Sequence, residues 1–126
     1  MSGTTLDTGA LIALEAGVPF MRALVRRAVE QRVPLAIPAA VLVQAWGGSG
    51  GQVRLAHLLR ASITEVVPLD RLEALTVGKV CARSGWSDVV DVSVVVCARQ
   101  RGRSIITSDP DDLRAIDPDL SLVAVT

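Results

Sequence analysis

The chain is poor in the residues that most readily announce a chemistry. Tyrosine is absent, and Phe20, Trp46 and Trp86 are the only aromatic side chains. Three rings cannot build the extended stacking platform used by many single-strand nucleic-acid binders. There are two cysteines, Cys81 and Cys97. They lack metal-ligand spacing and have no further partners for a framework, so both are expected as small buried residues, outside any disulfide or zinc site. His57 is the single histidine. It leaves Ser-His-Asp or Cys-His catalysis one possible base, and no G-x-S-x-G motif accompanies it, so a surface or packing role is expected. Long hydrophobic runs are also missing: uncharged apolar stretches such as Val92 to Ala98 fall far short of the roughly 18–20 residues of a membrane span. Basic and acidic residues balance at 13 each, which removes the positive surplus of an autonomous DNA-binding module. The opening MSGTTLDTGALIAL has no basic region and an acid at its centre, so neither a secretory nor a transit peptide is expected and a cytoplasmic location is.

What is present is an apolar chain of 126 residues, half of them hydrophobic. That is enough for one self-sufficient domain spanning residues 1–126. Turn chemistry and periodicity alternate strands with helices. A short strand at Thr4 to Asp7 leads into a helix opening near Ala10, and Gly17 and Pro19 break the chain. From Phe20 to Gln31, Met21, Leu24, Val25, Ala28 and Val29 recur at helical spacing with arginines opposite. VPLAIPA reads as a second strand, followed by a helix from Ala39 to Trp46, a glycine-rich loop at 47–51 and a helical stripe from Val53 to Leu59. Thr64 to Val67 form a third strand and Leu69 to Ala82 a helix ended by Gly85. Val89 to Ala98 form another helix, stopped by Gly102, and RSIIT, a short helix to Ile116 and LSLVAV complete the order. Strands separated by helices predict an α/β fold, an α/β/α sandwich with a mostly parallel central sheet.

In such sheets ligands collect beyond the carboxyl ends of the strands, so acids placed there are the first candidates for chemistry. Asp7 ends the first strand, and Asp109 precedes Pro110, Asp111 and Asp112. Each is explicable as a helix cap. Asp91 is different, because VVDVSVVVCA surrounds it with apolar residues and a buried carboxylate needs a cation, donors or a water-filled site. Asp88, three residues earlier, either shares its side of the helix or caps that helix with Ser87. Brought together, these acids would repel one another, and a hard divalent cation such as Mg²⁺ or Mn²⁺ would make the cluster favourable. The arginines of the second helix, Arg22, Arg26 and Arg27, are candidates for phosphate contacts, or else pair with Glu30 or face solvent. Trp46, beside the glycine run, is the one plausible stacking residue, with a core or interface role as the alternative.

Three blocks, LDTGALIAL, PAAVLVQAW and DVVDVSVVVCARQRGRSIITSDPDDL, carry a resemblance to PIN-domain proteins, specifically VapC-type toxin ribonucleases, from about Leu6 to Leu113. The resemblance implies an Mg²⁺- or Mn²⁺-dependent endoribonuclease acting on RNA, inhibition by a cognate VapB-type antitoxin, and a homodimer. Carried over residue by residue, Asp7, Asp91 and Asp109 match the family's metal-binding and catalytic acids. Gln44, Asp88, Ser108 and Asp112 fall around them as supporting positions, and Thr107 or Ser108 could hydrogen-bond a metal-bound water or simply end the strand. Gln44 is the departure, since many PIN domains have a glutamate there; the amide keeps an acceptor oxygen but removes a charge. It keeps open a second reading, a non-catalytic PIN-fold interaction module for a protein or RNA. A haloacid-dehalogenase-like phosphotransferase would need an aspartate where Gly9 stands.

Overall fold

In the computed structural model, residues 3–47, 52–101 and 104–125 are described. Most of the glycine-rich loop at 47–51, together with Gly102 and Arg103, lies outside them. Twelve elements follow one another: β1 (Thr4–Leu6), α1 (Thr8–Glu15), α2 (Pro19–Gln31), β2 (Leu35–Pro38), α3 (Ala39–Ala45), α4 (Val53–Arg60), β3 (Thr64–Val67), α5 (Arg71–Ser84), α6 (Val89–Gln100), β4 (Ser104–Thr107), α7 (Pro110–Ile116) and β5 (Ser121–Ala124). This is the order expected from the sequence. The sheet is parallel at every pairing and runs β3-β2-β1-β4-β5.

Burial sorts the strands as a covered parallel sheet requires. β2 is buried at all four positions and β4 at three, whereas the edge strands β3 and β5 are mostly exposed. α6 supplies the middle of the core, because Val92 to Ala98 are buried without interruption. It packs across β1, β2 and β4 as well as α3, α5 and α7. α1 contributes Ala10, Leu11 and Leu14 to the same core. Among the described residues no single helix is long and apolar enough to cross a membrane.

Two helix ends use the left-handed backbone conformation. Gly85 closes α5 at φ 71°, where glycine carries no steric penalty. Arg32 closes α2 at φ 55°, an arrangement with no glycine signal to announce it; the Val33 backbone N–H returns to the Ala28 carbonyl at 2.9 Å. α4 is capped from another helix. Its own Gln52 makes no side-chain cap, and the Glu15 carboxylate at the end of α1 accepts the Leu55 N–H at 2.8 Å. Cys81 and Cys97 are both free, with Cys97 buried, as expected. His57 is exposed on α4.

The strand order carries the functional consequence. The chain builds outward from β1 through β2 to β3, then crosses back to lay β4 on the other side of β1. The reversal point is therefore between β1 and β4, and a crevice opens there past their carboxyl ends. Asp7 follows β1 directly, and Thr107 and Asp109 end and follow β4.

Candidate metal centre

Asp7 is held in place from several directions. It is the N-cap of α1, and its Oδ1 accepts the Ala10 N–H at 2.8 Å. The Thr107 hydroxyl and the Ser108 backbone N–H also donate to its carboxylate. Thr107 is fully buried and works in both directions, since its Oγ1 accepts the Asp109 N–H at 2.8 Å. One hydroxyl thereby ties the acid after β1 to the acid after β4. Burial raises the Asp7 carboxyl above its usual 3.8 against the pull of these donors, and the charge of Asp109 adds to the rise.

Gly9 makes this junction possible. A Cβ there would collide with the Cβ and Oγ of Ser108. Only a residue without a side chain lets the first turn of α1 lie this close to the turn after β4.

Asp109 occupies the N-cap position of α7, but its carboxylate makes no capping hydrogen bond. The cap explanation open to it from sequence therefore fails. Its carboxylate instead meets Asp112, and that hydrogen bond is the leading cause of a raised Asp112 carboxyl, followed by burial and the charges of Asp109, Asp111 and Asp88. A proton shared between the two is what lets these acids approach. Asp111 points its charge elsewhere, to Arg114 at 3.4 Å.

Asp91 is not deep within a buried helix, as its neighbours in sequence suggested. Complete burial of α6 starts at Val92, and Asp91 stands half-buried in the first turn, at the helix's positive end. Burial raises its carboxyl, as do the charges of Asp88, Asp112 and Asp109, while a hydrogen bond from the Trp86 indole opposes the rise. Asp88 is the cap: its Oδ1 accepts the Val90 N–H at 3.0 Å and the Asp91 N–H at 3.1 Å. Its orientation is thus set by α6, and it reaches the centre mainly through its charge.

Gln44, exposed on α3, accepts the Thr8 hydroxyl at 2.7 Å through Oε1. It therefore stands next to the residue that follows Asp7. Arg22 and Arg26 line a cleft of about 310 Å³ with Leu14, Val53, Arg54 and His57. None of Arg22, Arg26 and Arg27 forms an ion pair with Glu30 among the described residues. Trp46 is exposed rather than in the core.

The acids predicted from sequence thus gather at the β1–β4 reversal and influence one another, with Asp112 more central than its supporting assignment. Among the described residues, no three His, Cys, Asp or Glu side chains already stand in metal-holding geometry. The donor chemistry fits a hard divalent cation: carboxylates raised by burial and mutual repulsion, with no guanidinium or ammonium among the causes acting on Asp7, Asp91 and Asp112. Two contributors escaped the sequence reading. Gly9 acts through an approach across the fold. Trp86 had a recognisable signal only in the rule that a half-buried indole N–H seeks an acceptor.

The PIN-domain family matches residues 4–117. The chain belongs to the PIN-domain family. PIN domains are generally nucleases. Its fold is also found in solved structures. The crystal structure of DNA-bound VapBC from Salmonella typhimurium has a chain 18% identical to this one, with 98% of each chain covered and a TM-score of 0.67. VapBC2 from Rickettsia felis, bound to a DNA fragment from its promoter, has a chain 16% identical, covering 96% of this chain and 97% of that one at a TM-score of 0.66. PAE2754 from Pyrobaculum aerophilum is 22% identical over 97% of this chain and 84% of that one, at a TM-score of 0.61. Among curated proteins no match was found. The resemblance read from the three sequence blocks therefore holds for family and fold.

Proposed function

We propose that this PIN domain is a metal-dependent endoribonuclease of the VapC type, hydrolysing phosphodiester bonds in RNA as the toxin of a toxin–antitoxin pair. The observation that carries the reading is the gathering of Asp7, Asp91, Asp109 and Asp112 at the β1–β4 reversal, with no neutralising side chain among the causes that shift them. Asp7, Asp91 and Asp109 would hold Mg²⁺ or Mn²⁺. When bound, such an ion lowers the pKa of a coordinated water and offsets charge developing on a phosphate.

The chain's own residues prepare that chemistry. Thr107, Ala10 and Ser108 fix the Asp7 carboxylate, so one side of the centre needs little rearrangement. Asp112 can hold or release a proton at its contact with Asp109. Gln44 has Oε1 engaged by Thr8, which leaves its amide hydrogens as the donors it can offer a substrate phosphate. Arg22 and Arg26 provide positive charge for the RNA backbone, a contact that positions a strand without reading its sequence.

A VapB-type antitoxin is proposed as the inhibitory partner, supported by the VapBC neighbours. Ile12, Val43, Trp46 and Val53 offer it exposed apolar surface on α1, α3 and α4. A homodimer, a cytoplasmic location and a single domain through residues 1–126 complete the reading.

The test compares cleavage of total cellular RNA by purified wild-type protein and Asp7→Asn, with Mg²⁺ and with Mn²⁺. Asparagine is also a good N-cap, so the variant should fold while cleavage falls about a hundredfold or more. Equal metal-dependent cleavage by both proteins would overturn the assignment of the centre. Absence of cleavage by the wild type would favour the non-catalytic interaction module.

A further inference from the structure

The geometry points to Trp86 as the positioning residue that aims Asp91 at the metal centre, through an indole N–H bonded to one carboxylate oxygen. This inference rests on the metal-centre reading above. Trp86 Nε1 donates to Asp91 Oδ2 at 3.4 Å, the long end of hydrogen-bonding range. Among the described residues it is the only hydrogen-bond partner of that side chain, and Oδ1 remains available.

The placement follows from local structure. Gly85 turns the chain at the end of α5, and the Trp86 backbone N–H donates to the Ser84 Oγ at 3.2 Å. The Trp86 ring is half-buried and packs against the main hydrophobic core. Its N–H is consequently presented to the first turn of α6 by a rigid body with few rotamers, a property that long polar side chains lack. Asp88 cannot take over this task, because its Oδ1 is committed to the N–H groups of Val90 and Asp91.

A neutral donor is suited to this position. It favours the ionised carboxylate over the protonated one but brings no charge of its own. An arginine would orient Asp91 equally well and would then compete with a divalent cation for it. Ligating carboxylates are commonly oriented by hydrogen bonds of this outer kind, and losing such a partner weakens metal binding by about 10–100-fold.

The test uses the full chain and Mn²⁺ alone, with no RNA. Calorimetric titration of wild type and Trp86→Phe separates the N–H from the ring, since phenylalanine keeps an aromatic body. The expected result is roughly tenfold weaker Mn²⁺ binding by Trp86→Phe. Unchanged Mn²⁺ affinity, with or without a lowered thermal midpoint, would reduce Trp86 to packing and overturn the inference while leaving the metal centre standing. A second measurement leaves position 86 intact: in Trp46→Phe the remaining tryptophan emission reports on Trp86. Emission should respond saturably to Mn²⁺ with the calorimetric midpoint, and Asp91→Asn in that background should abolish the saturable phase. Calorimetric binding without any emission response overturns the inference. Absence of Mn²⁺ binding by the wild type overturns both it and the metal-centre reading, an outcome the calorimetry identifies by itself.

Discussion

Asp7 and Asp91 are both acids raised by burial, but they are held in different ways. Asp7 sits in a corner built from two strand ends, with donors from Ala10, Thr107 and Ser108 converging on its carboxylate. Asp91 stands in the first turn of α6, with a single long hydrogen bond from Trp86 and like charges from Asp88, Asp109 and Asp112 around it. The first corner is preorganised. The second is an unbalanced set of negative charges that an added cation would complete. A centre built from one fixed and one adaptable half can bind a small hard ion and still adjust as substrate phosphate arrives.

Breaking the fixed corner should have the largest effect. Gly9→Ala places a Cβ against Ser108, and relief requires movement of backbone because the obstructing atoms include the Ser108 Cβ. Overpacking of this kind costs about 1–3 kcal/mol, so chemical denaturation should show a clear loss of stability. An unchanged midpoint would mean that the turn after β4 yields freely.

Next comes the pH dependence. Asp7, Asp91 and Asp112 have folded-state carboxyls raised above 3.8. Raised acids support the fold fully below the unfolded value, and that support is lost as pH rises through the folded values. Metal-free Asp7→Asn should therefore gain thermal stability relative to wild type as pH rises from about 4 to 7. A pH-independent difference would show that Asp7 titrates alike in folded and unfolded chains. Saturating Mn²⁺ should oppose the wild-type loss, since it favours the ionised acids.

Gln44→Glu adds a charge beside Thr8, near the fixed corner. Mn²⁺ affinity measured by calorimetry should rise several-fold, by about 1 kcal/mol or less at this exposed position. An unchanged titration would place the side chain outside the centre.

The smallest effect is expected at Asp117, which is remote from both corners in its contacts. Burial would raise its carboxyl, but the Asp119 N–H and Arg99 together pull it below the usual value. Its support is thus present above the unfolded value and lost as pH falls through the lowered one, the opposite sense to Asp7. Arg99 donates to one oxygen of Asp117 through two nitrogens, at 2.8 and 3.0 Å. Asp117→Asn should cost about 0.5–1 kcal/mol near neutral pH and leave RNA cleavage unaltered. A large loss of cleavage would extend the centre beyond the two corners.

Much of this architecture was legible in the residues. Thr64–Val67 is the strand expected from four residues of TEVV, bounded by Pro68. α2 follows the stripe of Met21, Leu24, Val25 and Ala28, and its start differs from expectation by one residue at Pro19. Other features were misread because local pattern does not report the third dimension. Asp109 has the sequence surroundings of a helix cap, yet its carboxylate turns to Asp112. Asp91 is bordered by valines along the chain, yet it lies at the rim of the core rather than inside it.

The sequence by itself determined the alternation of strands and helices, the family blocks and the acids that matter, because periodicity and turn chemistry are local properties. Tertiary structure alone decided that β4 returns beside β1, that Gly9 yields space to Ser108, that Thr107 links Asp7 with Asp109 and that Trp86 serves Asp91. The Gly9–Ser108 approach and the Asp7–Asp109 link join residues about a hundred positions apart, and only the crossover of a parallel sheet brings such residues together. Trp86 and Asp91 are close in sequence, but whether the indole met a carboxylate or solvent was settled by the turn at Gly85 and by the packing of its ring against the core.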